Sequence, residues 1–302
     1  MRRRISGVLL LDKPVGITSN RALQTVKRLF RAEKAGHAGT LDPLASGLLP
    51  VLLGDATRFS GYLLDAPKRY EAEIQLGVTT TTADAEGEVV GRKAVDASRA
   101  DVDAVLAGFA GIQTQVPPMY SALKRDGTPL YVLARRGETV ERAPRTIQIY
   151  SLDLLSLAQS RLAVAVACSK GTYIRTLAED IGAALGCGAH LAALRRTATG
   201  AFELAQATTL DALSGMPDEG RDALLKPADA ILGQLARLDL EGPDEARFCH
   251  GQSIPLAAIP PGICRIYGAG GRFLGLAAER EQGWLAPKRL LGETKAGDSP
   301  TG

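Results

Sequence analysis

The sequence predicts a protein of mixed helices and strands, a large domain followed by a small β module. Three observations predict it. Up to about residue 200, apolar runs of strand length alternate with amphipathic stretches at helical spacing. From about 202 to 236 the chain is acidic and helical in composition. Leu238 to Leu291 then shows short apolar runs punctuated by Gly and Pro, the pattern of a small β-barrel. A chain of 302 residues is long enough for both parts.

Val8 to Leu11 reads as a buried strand, ended by the turn signal Asp12-Lys13-Pro14 and Gly16. Thr18 or Ser19 caps a helix to about Phe30, with Leu23, Val26 and Phe30 inside. Glu71 to Leu76 alternates and reads as a strand with Tyr70 at its start. Thr79 to Gly87 reads as a loop, and Ser98 to Phe109 as a helix with Asp101 in capping-box position. Val116 to Arg136 starts extended at Pro117-Pro118 and ends in a basic, helix-like stretch. Ile147 to Leu155 and Leu162 to Cys168 read as strands. A helix follows from about Tyr173 to Leu185, with Arg175 at the edge of its apolar stripe, spaced for an i,i+4 pair with Glu179. Leu191 and Leu194 read as a second short apolar helix, and Arg195-Arg196 as basic surface.

Composition narrows the function. Hydrophobic content of 45% and charged content of 23% are those of an ordinary soluble protein. Cys168, Cys187, Cys249 and Cys264 are far apart, which argues against a zinc site or disulfide framework and for a reducing cytoplasm. The start MRRRISGVLLL is cut by Asp12, Lys13 and Pro14, too early for a signal peptide. No apolar stretch approaches the roughly 20 residues of a membrane span. The net charge of +3 is uneven. Residues 1–35 are strongly basic and 203–247 strongly acidic. On charge alone, a polyanion partner and a solvated face are equally open readings.

The densest chemical signal is Gly36 to Pro50, GHAGTLDPLASGLLP. Gly36, Gly39 and Gly47 permit unusual backbone or close approach. Pro43 biases Asp42 towards an extended or turn geometry. His37, Thr40 and Asp42 are crowded into an otherwise apolar stretch. The expected product is a loop that aims one carboxylate from an apolar anchor.

Five stretches, LLDKPVGITS (10–19), GHAGTLDPLASGLLPVLLGDATR (36–58), KRYEAEIQLG (68–77), VPPMYSALKRDGTPLYVLAR (116–135) and CSKGTYIRTLAEDIGAALGCGAHLAALRRT (168–197), stand in the order of the bacterial tRNA pseudouridine-55 synthases, the TruB family. The chain resembles that family over roughly 7–200. Residues 238–292 are more loosely similar to a PUA-type RNA-binding domain. The resemblance implies an α+β catalytic domain at 1–236 with a central mixed, largely antiparallel sheet. It also implies an inserted RNA-contacting segment at about 111–146, a PUA-like β-barrel at 237–292 and a disordered tail at 293–302. One position departs: where the family commonly shows T-D-T-x-D, Thr81 replaces the acid.

By the same resemblance, the reaction is isomerisation of uridine 55 in the T-loop of tRNA to pseudouridine, with no cofactor and no metal. The absence of a phosphate loop, zinc motif or dinucleotide fingerprint fits this. Asp42 is the expected catalytic carboxylate; attack on the sugar, attack on the base and removal of a sugar proton all stay open. Arg175 is expected to keep Asp42 ionised and aimed. Tyr70 would stack on the flipped uracil, Leu194 pack on it, Lys13 support the site, and His37 fill the space the base vacates. Arg21, Lys27, Arg28, Arg31, Lys124, Arg125, Arg135 and Arg136 would contact phosphates, with Arg195 and Arg196 as weaker candidates. The partner is a tRNA T-stem-loop. The expected form is a cytoplasmic monomer that needs no protein partner and assists tRNA folding as a second activity. A catalytically silent RNA-binding protein, a glycosidase and a synthase working in a guide-RNA particle are the competing readings. The set Asp42, Tyr70 and Arg175 argues against the first. The lack of an obvious second carboxylate argues against the second, and the compact C-terminal module against the third.

Overall fold

The computed structural model describes residues 2–291, so the expected tail at 293–302 lies outside the described residues. Strand β1 (Gly7–Lys13) is buried almost throughout. Thr18 caps helix α1 (Ser19–Leu29), its hydroxyl accepting the Arg21 amide at 3.1 Å, and Ala22, Leu23 and Val26 point inward. Strands β2 (Ala35–His37) and β3 (Ala45–Leu53) come next, then helix α2 (Ser60–Asp65) and strand β4 (Lys68–Leu76). A small hairpin, β5 (Val78–Thr80) and β6 (Val89–Arg92), precedes helix α3 (Arg99–Gly108), which has the expected Ser98–Asp101 capping box.

The next segment holds strand β7 (Gly111–Gln115), the hairpin β8 (Lys124–Arg125) and β9 (Thr128–Pro129), and helix α4 (Leu130–Arg135). The long strands β10 (Arg145–Ala158) and β11 (Arg161–Cys168) lead to helix α5 (Ile174–Ala184) and strand β12 (Ala189–Thr199). Two short strands, β13 (Phe202–Glu203) and β14 (Thr208–Thr209), and helices α6 (Leu210–Gly215) and α7 (Asp218–Asp222) complete the large part. The remainder is strand β15 (Ala236–Asp239), helix α8 (Gly242–Cys249) and strands β16 (Ile254–Pro255), β17 (Ile263–Gly268), β18 (Arg272–Glu281) and β19 (Trp284–Leu290).

Ten strands form one mixed sheet in the order β14-β1-β3-β12-β4-β11-β10-β7, with β2 beside β3 and β13 beside β12. Only β1–β14 and β3–β12 are parallel, so the sheet is largely antiparallel as expected. Helices α3 and α5 cover one apolar cluster built on β4, β10, β11 and β12. Helix α1 covers a second, on β1 and β3. A third cluster joins the large sheet to the C-terminal part through Phe59 and Phe273, whose ring centroids are 5.6 Å apart. That part is a curled five-stranded sheet, β15-β17-β18-β19-β16, with its own core around Phe248 and Ile266. Its path is open at both ends, so it is a half-barrel rather than a closed barrel.

Three expectations are corrected. The loop over Gly36 to Pro50 shrinks to residues 38–44. Leu48, Leu49, Val51, Leu52 and Leu53 belong to a central strand covered on both faces, whose run therefore shows no alternation. The short helix at Leu191 and Leu194 is instead strand β12. A bulge between Leu191 and Ala193 adds one residue, so Leu191 opposite Ile74 and Leu194 opposite Ala72 share a sheet face at a three-residue spacing that imitates a helix. The acidic stretch 202–236 is not continuously helical; Gly215, Pro217 and Pro227 confine it to short helices and turns.

Candidate active site

Between β2 and β3 the chain is pinned on both sides of Asp42. The buried Ser19 hydroxyl donates to the Leu41 carbonyl at 2.9 Å and accepts the Leu41 N–H at 2.8 Å. The Gly16 N–H donates to the Pro43 carbonyl at 2.8 Å, and the Ala45 N–H to the Asp42 carbonyl at 3.0 Å. The start of α1 and the turn before it thus fix the direction of Asp42.

Helix α5 supplies the partner. Arg175 Nε lies 3.0 Å from Asp42 Oδ2, and Nη1 lies 3.6 Å from Asp84 Oδ2. Nη2 donates to the Tyr120 carbonyl at 2.6 Å and Nη1 to the Thr82 carbonyl at 3.3 Å. The Arg175 and Asp84 side chains are 6% and 5% exposed, whereas the Asp42 side chain keeps 41% of its surface open. The guanidinium is therefore a fixed support, and Asp42 is the member of the trio left open at the surface. The i,i+4 pair of Arg175 with Glu179 does not form; the helix face turns Arg175 to the loop instead.

Burial pushes the Asp42 carboxyl above its ordinary value, and Asp84 adds to this; Arg175 and Lys13 pull it down. Arg175 thus acts on Asp42 in the expected direction, favouring the ionised form against the larger effect of burial. Lys13, fully buried at the end of β1, donates to the Pro14 carbonyl at 2.7 Å and the Ile17 carbonyl at 2.8 Å. Burial lowers its ammonium to about 8. It holds the turn that in turn holds Pro43.

Two cavities meet at Asp42. One, of about 350 Å³, is walled by Tyr70, Leu194, Tyr173 and Ile174, with Lys68, Arg175 and Arg196 at its polar side. The other, of about 510 Å³, is walled by His37, Thr40, Asp84, Glu86, Tyr120 and Arg135. Tyr70, Leu194, Arg175 and Asp42 are thus brought together in the first, and His37 stands in the second. The His37 Nδ1 is buried with no partner among the described residues, and burial first, then Arg196, lowers its imidazole. Burial raises the Tyr70 phenol, against the pull of Arg196.

The basic residues divide. Arg21, Arg28, Lys124, Arg135 and Arg136 are exposed and Lys27 is half-buried. Arg135 stacks its guanidinium 5.5 Å from the Tyr131 ring centroid and borders the His37 cavity. Arg31 is tied to Asp218, as Arg3 is to Asp222, so the acidic segment neutralises part of the basic N-terminal face. Arg125 donates to the Glu141 carbonyl at 3.2 Å. Arg195 pairs with Asp12 at 2.8 Å, and Arg196 is only 1% exposed. The reading of Arg195-Arg196 as basic surface is therefore corrected for Arg196; Arg195 keeps 42% of its side chain exposed.

Sequence reasoning missed Ser19 as a clamp on Leu41, Asp84 as second partner of Arg175, and Arg196 beneath the cavity. The signals for Asp84 were its place among polar residues in the 79–87 loop and its match to the closing acid of the T-D-T-x-D pattern. Thr81, the departure from the family pattern, accepts the Glu88 N–H at 3.1 Å and borders neither cavity at Asp42.

A mixed sheet with an appended half-barrel is shared with solved structures. The chain superposes on "Crystal Structure of a Cbf5-Nop10-Gar1 Complex" with a TM-score of 0.68 at 29% identity, covering 90% of this chain and 78% of that one. For "Structure of H/ACA RNP bound to a substrate RNA containing 2'-deoxyuridine" the TM-score is 0.70 at 25% identity, covering 96% and 86%. Residues 27–174 match the TruB family pseudouridylate synthase (N terminal domain). Residues 175–233 match the tRNA pseudouridylate synthase B C-terminal domain, and 236–291 the C-terminal region of pseudouridine synthase II TruB. The tRNA pseudouridine synthase B of Stutzerimonas stutzeri (strain A1501) is 54% identical over 296 residues, 96% of this chain and 97% of that one. That of Burkholderia mallei (strain NCTC 10247) is 55% identical over 297 residues, 96% and 98%. The chain belongs to the TruB family of pseudouridylate synthases.

Proposed function

We propose that this chain isomerises uridine 55 in the T-loop of tRNA to pseudouridine, with Asp42 as the essential carboxylate. The observation that carries the reading is the Asp42 side chain: open to two cavities, pinned at Leu41 and Pro43, and aimed by a buried arginine. In the reaction the N1–C1′ bond breaks, the uracil turns, and C5 joins C1′. C5 gives up its hydrogen and N1 gains a proton, so nothing is oxidised.

The residues divide the work. A stacked base must leave its helix to reach Asp42, at a cost of a few kcal/mol. His37 fills the vacated place, in the cavity adjoining the one that takes the uracil. Tyr70 and Leu194 wall the uracil and exclude water. Asp42 acts ionised, whether it attacks a carbon or removes a proton. Lys13 keeps the turn beside it rigid. The segment at 111–146 covers the site through Tyr120 and carries Lys124, Arg125, Arg135 and Arg136 to the phosphates. The half-barrel holds the acceptor-arm side. The chain works as a single cytoplasmic subunit and opens the T-arm as it binds, which aids tRNA folding.

The test is tritium release from a tRNA transcript labelled at uridine C5, which occurs only when the new carbon–carbon bond forms. The wild type is expected to release about one equivalent, from the T-loop, and Asp42→Ala none, on the ground that a lost nucleophile or base is not replaced by water. Tight binding without release by the wild type would leave a silent RNA-binding protein.

A further inference from the structure

Arg196 is the bulkiest fully buried side chain among the described residues, and no carboxylate there pairs with it. Its Nε donates to the Leu48 carbonyl at 2.7 Å and its Nη2 to the Gly39 carbonyl at 3.1 Å. A buried cation without a counter-ion is costly, and partial neutralisation by carbonyl dipoles does not remove the cost. The neighbours do not relieve it. Lys13 is buried on two carbonyls and Lys68 on three, so both add repulsion. A hydrophobic side chain would fill the same space more cheaply, so the charge calls for a reason.

The register supplies one. Strand β12 lies between β3 and β4, and Arg196 stands opposite Gly47 on one side and Tyr70 on the other. With Leu194 opposite Ala72, the strand thus presents Leu194 and Arg196 along the face that carries Tyr70. The guanidinium reaches onward to Gly39, three residues before Asp42. Gly39 has φ of +95°, and a Cβ there would stand 3.2 Å from Arg196 Nη1, so the turn is shaped around this side chain.

We propose that Arg196 is a positioning residue of the isomerisation: its guanidinium fastens the Asp42 turn at Gly39 to β3 at Leu48 and sets a fixed positive charge against Tyr70 and His37. The role rests on the proposed function. Arg196 touches the backbone that carries Asp42 and borders the cavity of Tyr70 and Leu194. Losing it frees the turn at one end, and a misplacement of about 1 Å at a reacting group can cost about 10²-fold in rate.

The test compares Arg196→Met and Arg196→Lys with the wild type in the full chain. Melting, tRNA affinity, single-turnover tritium release and the His37 titration by NMR are measured. The titratable and charged groups around the guanidinium are His37 on β2, Tyr70 and Lys68 on β4 and Lys13 on β1. Arg196→Met is expected to slow release about 10²-fold while tRNA affinity changes by less than about threefold. Its His37 pKa should rise, because the repelling charge is gone. Arg196→Lys keeps the charge without the planar fork and is expected to recover about tenfold of the loss, with His37 titrating as in the wild type. A wild-type rate in Arg196→Met would overturn the proposal. So would a rate loss matched by lost tRNA binding with His37 unmoved. Failure of both variants to fold would make Arg196 a structural group only and overturn it too. A wild type that releases no tritium refutes the functional reading itself, which the variant outcomes do not.

Discussion

Arg175 sits between two carboxylates and treats them differently: Nε bonds the open Asp42 at 3.0 Å, while Nη1 faces the closed Asp84 at 3.6 Å. Asp84 is fixed in its turn by the Thr82 hydroxyl and by the Glu86 N–H at 3.1 Å. The chain of support therefore runs from the 79–87 loop through helix α5 to Asp42.

That chain predicts that Arg175→Lys is not conservative. An ammonium cannot span Asp42, Asp84 and the carbonyls of Tyr120 and Thr82 at once. Single-turnover tritium release is expected to fall about 10²-fold, with tRNA affinity within about threefold. Asp84→Asn keeps the acceptor for Thr82 and Glu86 but removes the negative charge that faces Arg175. Its expected loss is about tenfold, a looser aim rather than a lost one. Equal and total loss in both variants would show instead that the loop had collapsed.

Asp42 binds its proton more tightly in the folded chain than in the unfolded one, because burial raises it above the ordinary value of 3.8. Stability therefore falls as pH rises from about 4 through the folded value, and the ionised carboxylate costs stability at neutral pH. Asp42→Asn is expected to melt higher at pH 7, by roughly 1–4 °C, since the group is partly solvated. The difference should shrink towards zero as the pH is lowered to about 4. Activity runs the other way. The acid limb of the wild-type rate should lie above the ordinary aspartate range, and Arg175→Gln should move it higher still, since Arg175 is the main group pulling it down. Melting curves and single-turnover rates across pH check both signs.

Gly47 has φ of +99°, and a Cβ there would overlap the backbone oxygen and nitrogen of Arg196 across the parallel pair β3–β12. Neither strand can yield without disturbing Leu194. Gly47→Ala is expected to destabilise by about 2–4 kcal/mol, adding strain at positive φ to overpacking. Denaturant unfolding measures it. By contrast Gly61→Ala, on helix α2 with open space around it, should change stability by less than about 1 kcal/mol.

Much of this site was legible in the sequence, and the rest was hidden for physical reasons. The Asp42 turn announced itself because only a backbone-permissive, apolar-anchored stretch needs so many Gly and Pro around one acid. The cap of α1 and the capping box of α3 are local, so the sequence showed them directly. Strand β12 was misread because its bulge replaces a two-residue period with a three-residue one. Arg196 was misread because a burial fixed by three strands far apart in sequence leaves no mark on an Arg-Arg dipeptide. The basic stretch at 1–35 and the acidic stretch at 203–247 were visible as totals. Their mutual pairing depends on α7 folding back onto α1, across 187 residues between Arg31 and Asp218.

That pairing separates two neighbours on α1 and its C-terminal turn. Arg28 is exposed, with no ion pair among the described residues, whereas Arg31 is held by Asp218. A phosphate contact from Arg28 releases a counter-ion when tRNA binds; one from Arg31 must first break an existing pair. Arg28→Ala is therefore expected to reduce the salt slope of tRNA affinity by about 1, and Arg31→Ala by clearly less. Asp218→Asn should free Arg31 and strengthen binding at low salt, an effect lost in the double variant with Arg31→Ala. Affinities measured from about 50 to 200 mM salt decide the matter. Equal slopes for the two single variants would mean that Asp218 gives up Arg31 at no cost and that the acidic segment does not trim the RNA face.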